Sequence, residues 1–260
     1  MLVVLSFCNK DATLALANAE WIASLGGSNE HRWLVACNQL AGATDMPQRI
    51  CDALRVKYAQ VELLVHYDED ERPWPRAQNH AFQRSAQYVA NKYNCPWLWL
   101  ECDAIPLGDG WLDALEAEYV RAGKPFMGML VDVVTVQGQA IPTHLSGVSV
   151  YPGNVPGHSV NIMRCGGIAF DMAGAEEVLP KAHFTKLLAH KYQCPSITRD
   201  EEFEAWVPRD SVLFHQQKTP QIIEYLKAKR SEVYKQVVTE LVQERIGVWE
   251  FSQGRLVLTT

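Results

Sequence analysis

Short apolar runs alternate with amphipathic stretches through the first half of the chain. Leu2–Phe7 is continuously apolar apart from Ser6 and stops at Cys8-Asn9-Lys10-Asp11, which predicts a buried strand. Ala12–Leu25 then has helical spacing and closes at Gly26-Gly27, and Trp33–Cys37 predicts a second strand. The alternation continues with a helix over Pro47–Tyr58, a strand over Val61–His66 and, after the acid- and proline-rich loop Tyr67–Pro75, a helix from Arg76 to Tyr93. Strand Trp97–Leu100, helix Trp111–Ala122 and strand Phe126–Val131 complete the series. Repeated strand–helix–strand units cross over right-handedly, so the prediction is an α/β, Rossmann-like chain with a mostly parallel central sheet flanked by helices.

Beyond Val131 the pattern changes. Glycines and prolines break the stretch from 133 to 170 into short β-like pieces, Val148–Tyr151 and Gly167–Phe170, which suits a mixed sheet edge and binding loops better than another βα unit. A short helix is predicted over Glu201–Trp206, and a helical stripe runs through Ile222, Leu226, Val233, Val237 and Leu241 in residues 219–246. Val248–Phe251 and Arg255–Leu258 flank Ser252-Gln253-Gly254 as a hairpin. The organisation expected is one main domain over 1–218, with 219–260 an amphipathic helix and hairpin packed on it or extending it. The helix stripe is not a sustained heptad, which favours packing against its own domain over the seam of a homo-oligomer.

Composition narrows the class. With 48% hydrophobic and 21% charged residues among 260, the chain falls in the globular range, which excludes disorder and rods. Seven cysteines, an odd number without any C-x-x-C pair, argue against a disulfide framework or structural zinc and fit free thiols in a reducing, cytoplasmic setting. The opening apolar run has no basic flank and is far short of the roughly 20 residues of a membrane span. A net charge of −6 without a Lys/Arg block makes nucleic acid an unexpected partner, and Lys181–Lys191 is only weakly basic as a lipid-facing stretch. A small anionic ligand held by a local site or a metal stays open.

The most informative stretch is Trp97-Leu98-Trp99-Leu100-Glu101-Cys102-Asp103, an apolar strand that ends in two carboxylates spaced i, i+2. Alternate residues of a strand share a face, so Glu101 and Asp103 are expected to point the same way at the carboxyl end, where open α/β sheets bind ligands. Two carboxylates this close repel unless one is protonated or a cation bridges them, and a hard divalent ion is the usual bridge. Local capping by each acid is the alternative reading of the same residues.

On these residues the chain resembles the GT-A fold nucleotide-sugar glycosyltransferases over roughly 1–218, with Glu101-Cys102-Asp103 in the place of their acidic D-x-D-type motif. The resemblance implies a GT-A fold with a mixed β C-terminal half, and Mn²⁺ or Mg²⁺ held by Asp103 and Glu101 against the donor diphosphate. The family's more frequent first Asp is Glu here, which leaves Asp103 the firmer ligand and a ribose or water-mediated contact open as the alternative for Glu101. It further implies nucleobase contacts by Ser6, Phe7 and Asn9 at the end of the first strand, and a base or ribose contact by Asp68. Arg76 and Asn79, in the first turn of a helix, would face phosphate and nucleoside. Asp210–Lys218 is similar to the late segment that supplies a third metal ligand, here His215, with Lys218 able to meet a phosphate. Gly166-Gly167 would bring backbone N–H groups to a sugar hydroxyl, and Asp200 or Glu201 would be the general base if the reaction inverts.

The function implied is a metal-dependent transfer of a hexosyl or pentosyl group from a nucleoside diphosphate donor, expected to be UDP-linked, to a hydroxyl acceptor, a saccharide by default. A hydroxymethylated DNA base is a further acceptor class, disfavoured by the acidic charge balance. A sugar nucleotidyltransferase is the enzyme alternative, weakened because Cys8-Asn9-Lys10-Asp11-Ala12 has no glycine to cradle a triphosphate. A non-catalytic domain of the same fold that binds a glycan or a partner is the other.

Overall fold

The computed structural model describes residues 1–67, 74–132, 134–136, 139–192, 194–232, 249–252 and 255–258. The first apolar run forms β1 (Leu2–Phe7), and parallel β2 (Arg32–Asn38) lies beside it in the register Leu5↔Val35. Beyond β2 lies β3 (Val61–His66), and on the other side of β1 lies β4 (Trp97–Glu101), both also parallel. The connections run through α1 (Ala12–Ser24), the short α2 (Gln39–Gly42), α3 (Met46–Arg55) and α4 (Arg76–Lys92). After β4 come β5 (Ala104–Pro106), α5 (Trp111–Ala122) and β6 (Phe126–Val131). These elements follow the predicted alternation closely because continuous apolar runs are stable only when sandwiched between helices.

The mixed half begins with the paired strands β7 (Val134–Val136) and β8 (Gln139–Ile141) and the fully buried β9 (His144–Tyr151). β9 lies antiparallel between β4 and β6, and β10 (Ala182–Phe184) adds to β6, giving the order β10-β6-β9-β4-β1-β2-β3. Between β9 and β10 lie four single-turn helices: α6 (Val155–His158), α7 (Val160–Met163), α8 (Phe170–Ala173) and α9 (Ala175–Val178). The predicted β-like piece Gly167–Phe170 is therefore corrected: it is a loop entering α8, with Gly166 turned to a φ of +58° where a strand cannot continue. A second sheet joins β5 to β11 (Leu188–His190) and β12 (Leu213–His215), separated by α10 (Asp200–Trp206).

Side chains of the main sheet alternate between two apolar layers. Val3, Leu5, Val35, Leu98 and Leu100 pack with Ile22 of α1, Ile50 of α3 and Leu112 of α5. Leu2, Val4, Leu34, Trp97 and Trp99 face Phe82 and Val89 of α4 together with Phe170. Phe82 stacks on Phe170 with ring centroids 3.9 Å apart and meets Trp99 edge-on at 5.3 Å. Each such buried ring contributes roughly 2–3 kcal/mol by leaving water.

The last helix, α11, is described over 221–232 and buries Ile222, Ile223 and Leu226 in the same core as α1. Its stripe residues Val233, Val237 and Leu241 lie outside the described residues. β13 (Trp249–Ser252) and β14 (Arg255–Leu258) pair antiparallel. Burial pushes the Cys37 thiol up to about 12 and that of Cys51 up to about 11, so both are unreactive thiols. Among the described residues no helix is long and apolar enough to cross a membrane.

Candidate metal and nucleotide site

Glu101 closes β4, and the chain turns through Cys102 and Asp103 into β5. The turn is pinned from behind by Asn18, fully buried on α1, whose Nδ2 donates to the carbonyls of Cys102 (3.2 Å) and Ala104 (2.9 Å). Trp21 of the same helix donates its indole N–H to the Pro106 carbonyl at 2.8 Å. β12 runs antiparallel to β5 with His215 opposite Ala104, which brings the imidazole over the carboxylate one residue earlier. The second sheet thus delivers a residue 112 positions downstream of Asp103 to the end of the main sheet.

The three side chains meet. His215 Nε2 is 3.3 Å from Glu101 Oε2 and 3.3 Å from Asp103 Oδ1. Glu101, Asp103 and His215 each offer one ligand atom, all within 4.8 Å of one another. His215 is buried with Nε2 directed between the two carboxylate oxygens, and one imidazole nitrogen beside two carboxylates is the donor set of a divalent transition ion. Lys218 pairs with the other oxygen of Asp103.

The electrostatics show an acidic site that already gathers positive charge. Burial opposes ionisation of Asp103, but His215 and Lys218 outweigh it and hold the carboxyl well below the usual range. Burial likewise opposes protonation of His215, yet the carboxylates of Asp103 and Glu101 push the imidazole up to about 10. The two carboxylates that raise this imidazole are the groups that would hold a divalent cation, which would take the place of the imidazole proton.

A cavity of about 830 Å³ opens beside the cluster, across the carboxyl ends of β1, β2 and β4, within the size range of small-ligand sites. Of the residues singled out from sequence, Ser6, Phe7, Asn9, Glu101, Asp103 and Lys218 line it, while His215 reaches it through the two carboxylates. Asn38, at the end of β2, approaches Asn9 at 3.5 Å. Sequence reasoning missed Trp74, Gln78 and Trp99, which also line the cavity. Gln78 lies in the first turn of α4, whereas Trp74 precedes the helix in the turn before its Pro75 cap, so helical periodicity alone does not bring the two together.

Other expected positions lie elsewhere. Asn79 does not line the cavity: it is buried, donates to the carbonyls of Gly166 (3.2 Å) and Ile168 (2.7 Å), and accepts from the Phe170 N–H at 2.9 Å. Gly166 and Gly167 are exposed in that latched loop and do not line the cavity, and neither does the exposed Arg76. Asp200 and Glu201, named as alternatives for the general base, do not line this cavity. They line a separate shallow depression between α10 and α11, where Asp200 accepts from Tyr225 (3.0 Å) and pairs with Lys229 (2.6 Å). The acidic first turn of α10 is satisfied by the basic side of α11, and the Lys229 hydrogen bond lowers the Asp200 pKa, which makes it a weaker base. Asp68 lies outside the described residues.

No family model matches the sequence, and no curated protein shows significant similarity to it. Solved structures do match in shape. The galactosyltransferase LgtC, in complex with donor and acceptor sugar analogues, aligns over 83% of this chain and 86% of its own, with a TM-score of 0.52 at 11% identity. The bifunctional glycosyltransferase WbbM aligns over 83% of this chain and 45% of its own, with a TM-score of 0.54 at 13% identity. The parallel sheet, the antiparallel β9 inserted beside β4, and these likenesses together establish that the chain adopts the GT-A fold.

Proposed function

We propose that this chain is a metal-dependent glycosyltransferase that moves a sugar from a UDP-linked donor to a hydroxyl acceptor, a saccharide by default, with 1–218 as the catalytic domain and 219–260 extending it. The observation that carries the reading is the convergence of Glu101, Asp103 and His215 at the edge of a cavity formed by the carboxyl ends of parallel strands. Their chemistry fits Mn²⁺ or Mg²⁺, which would supply charge neutralisation for the leaving diphosphate.

The chain's own residues do the rest. The apolar wall of the cavity, with Phe7 and Leu14, takes the base, and Ser6, Asn9 and Asn38 supply polar contacts beside it. Lys218, exposed and paired with Asp103, is placed to turn to a phosphate oxygen once a metal occupies that carboxylate. In the transfer the anomeric carbon–oxygen bond breaks with its electron pair passing to the diphosphate. The acceptor oxygen forms the new bond to that carbon and gives its proton to the departing diphosphate or to solvent water.

An Asp103→Asn variant tests the assignment in a sugar-nucleotide turnover assay with a mixed-donor panel and Mn²⁺. Turnover should fall by about 10²–10³-fold, the scale of losing one main electrostatic stabiliser of the transition state, while circular dichroism shows a folded chain. Undiminished, still metal-dependent turnover in the variant contradicts the assignment. Release of nucleoside diphosphate supports transfer, whereas release of pyrophosphate favours a nucleotidyltransferase.

A further inference from the structure

Glu101 has one oxygen turned toward His215 and one turned away. Oε2 faces the imidazole at 3.3 Å, whereas Oε1 accepts a hydrogen bond from Gln78 Nε2 and lies 3.4 Å from the indole N–H of Trp99. Gly147 closes the same side, since a Cβ there would lie 3.3 Å from Oε1. The Gln78 amide cannot be the other way round. Trp74 Nε1, which can only donate, bonds to Gln78 Oε1 at 3.1 Å, so the amide nitrogen is the atom that meets the carboxylate. Asp103 is arranged alike, with Oδ2 on Lys218 and Oδ1 facing His215 at 3.3 Å.

We propose that Gln78, anchored by Trp74, is a positioning residue that restricts Glu101 to a single ligating oxygen and thereby sets which divalent ion the site accepts. The proposal rests on the reading of Glu101, Asp103 and His215 as a metal site. Calcium favours six to eight oxygen ligands at long distances and commonly takes a carboxylate through both oxygens, whereas Mn²⁺ and Mg²⁺ are satisfied by six closer ligands, one per carboxylate. With Oε1 engaged by the Gln78 amide, Glu101 offers the second arrangement and resists the first. Outer partners that orient a ligating group commonly change metal affinity by about 10–100-fold when removed.

The experiment is Mn²⁺ binding followed by electron paramagnetic resonance of the free ion, with Ca²⁺ affinity obtained by competition, on the full chain and three variants. Gln78→Leu should weaken Mn²⁺ by about tenfold or more and Ca²⁺ by less, so the Mn²⁺-to-Ca²⁺ affinity ratio narrows. Trp74→Phe keeps an aromatic ring at an exposed position and removes only the anchoring N–H, so it should narrow the ratio in the same direction, by less, without a folding defect. Asp103→Asn is the control that should abolish binding. If Asp103→Asn loses Mn²⁺ while Gln78→Leu keeps both its affinity and its ratio within about twofold of the parent, the Gln78 proposal is overturned and the metal site stands. If the parent chain binds no Mn²⁺, the metal-site reading fails and takes this proposal with it.

Discussion

Asn79 shows how one buried amide organises a loop. Its three hydrogen bonds tie α4 to residues 166–170, at the point where Phe170 enters the aromatic layer against Phe82. Replacing it with Ala leaves the buried Phe170 N–H without a partner and releases two carbonyls. Asn79→Ala should therefore lower stability by about 2 kcal/mol in urea unfolding, and an unchanged midpoint would show that the loop is held by other contacts. The same residue marks a limit of reading by position. A polar side chain in the first turn of a helix near a ligand cleft is equally compatible with pointing out at the ligand or in at a neighbouring loop, and only the placement of 166–170, distant in sequence, decides between them. Glu101 and Asp103 were legible because two adjacent carboxylates after an apolar strand are costly without a cation, whatever else surrounds them.

At the scale of elements, the parallel strands were readable because each is a continuous apolar run, a pattern that only two-sided burial explains. The start of β9 was not, since His144, Ser146 and Gly147 interrupt its apolar pattern although the strand is buried throughout. Its far end is held by backbone contact. A Cβ on Gly153 would fall 2.4 Å from the Asn94 carbonyl carbon and 2.5 Å from the Cys95 nitrogen, against the turn that leads into β4. Gly153→Ala should lower stability by about 1–3 kcal/mol in thermal unfolding, because two backbones must separate. No change in the melting temperature would mean that the turn before β4 adjusts freely. His215 was named only through the resemblance of Asp210–Lys218 to the family's late segment, and what places it is the pairing of β12 with β5, a contact that local periodicity does not encode.

Over the whole molecule, a net charge of −6 surrounds a cavity whose edge is formed by Glu101 and Asp103, with Lys10 and Lys218 the only Lys or Arg among its described lining residues. The cations now facing Glu101 and Asp103 are tied up by those carboxylates, and a divalent ion held there would add the positive charge a diphosphate needs, so nucleotide binding and metal binding should be tightly linked. The most direct test is isothermal titration of UDP, GDP, CDP and ADP into the purified chain, each with Mn²⁺ and again with EDTA. UDP is expected to bind selectively, and only while Mn²⁺ is present. Binding of no diphosphate under either condition, or equal binding of UDP in EDTA, would contradict it.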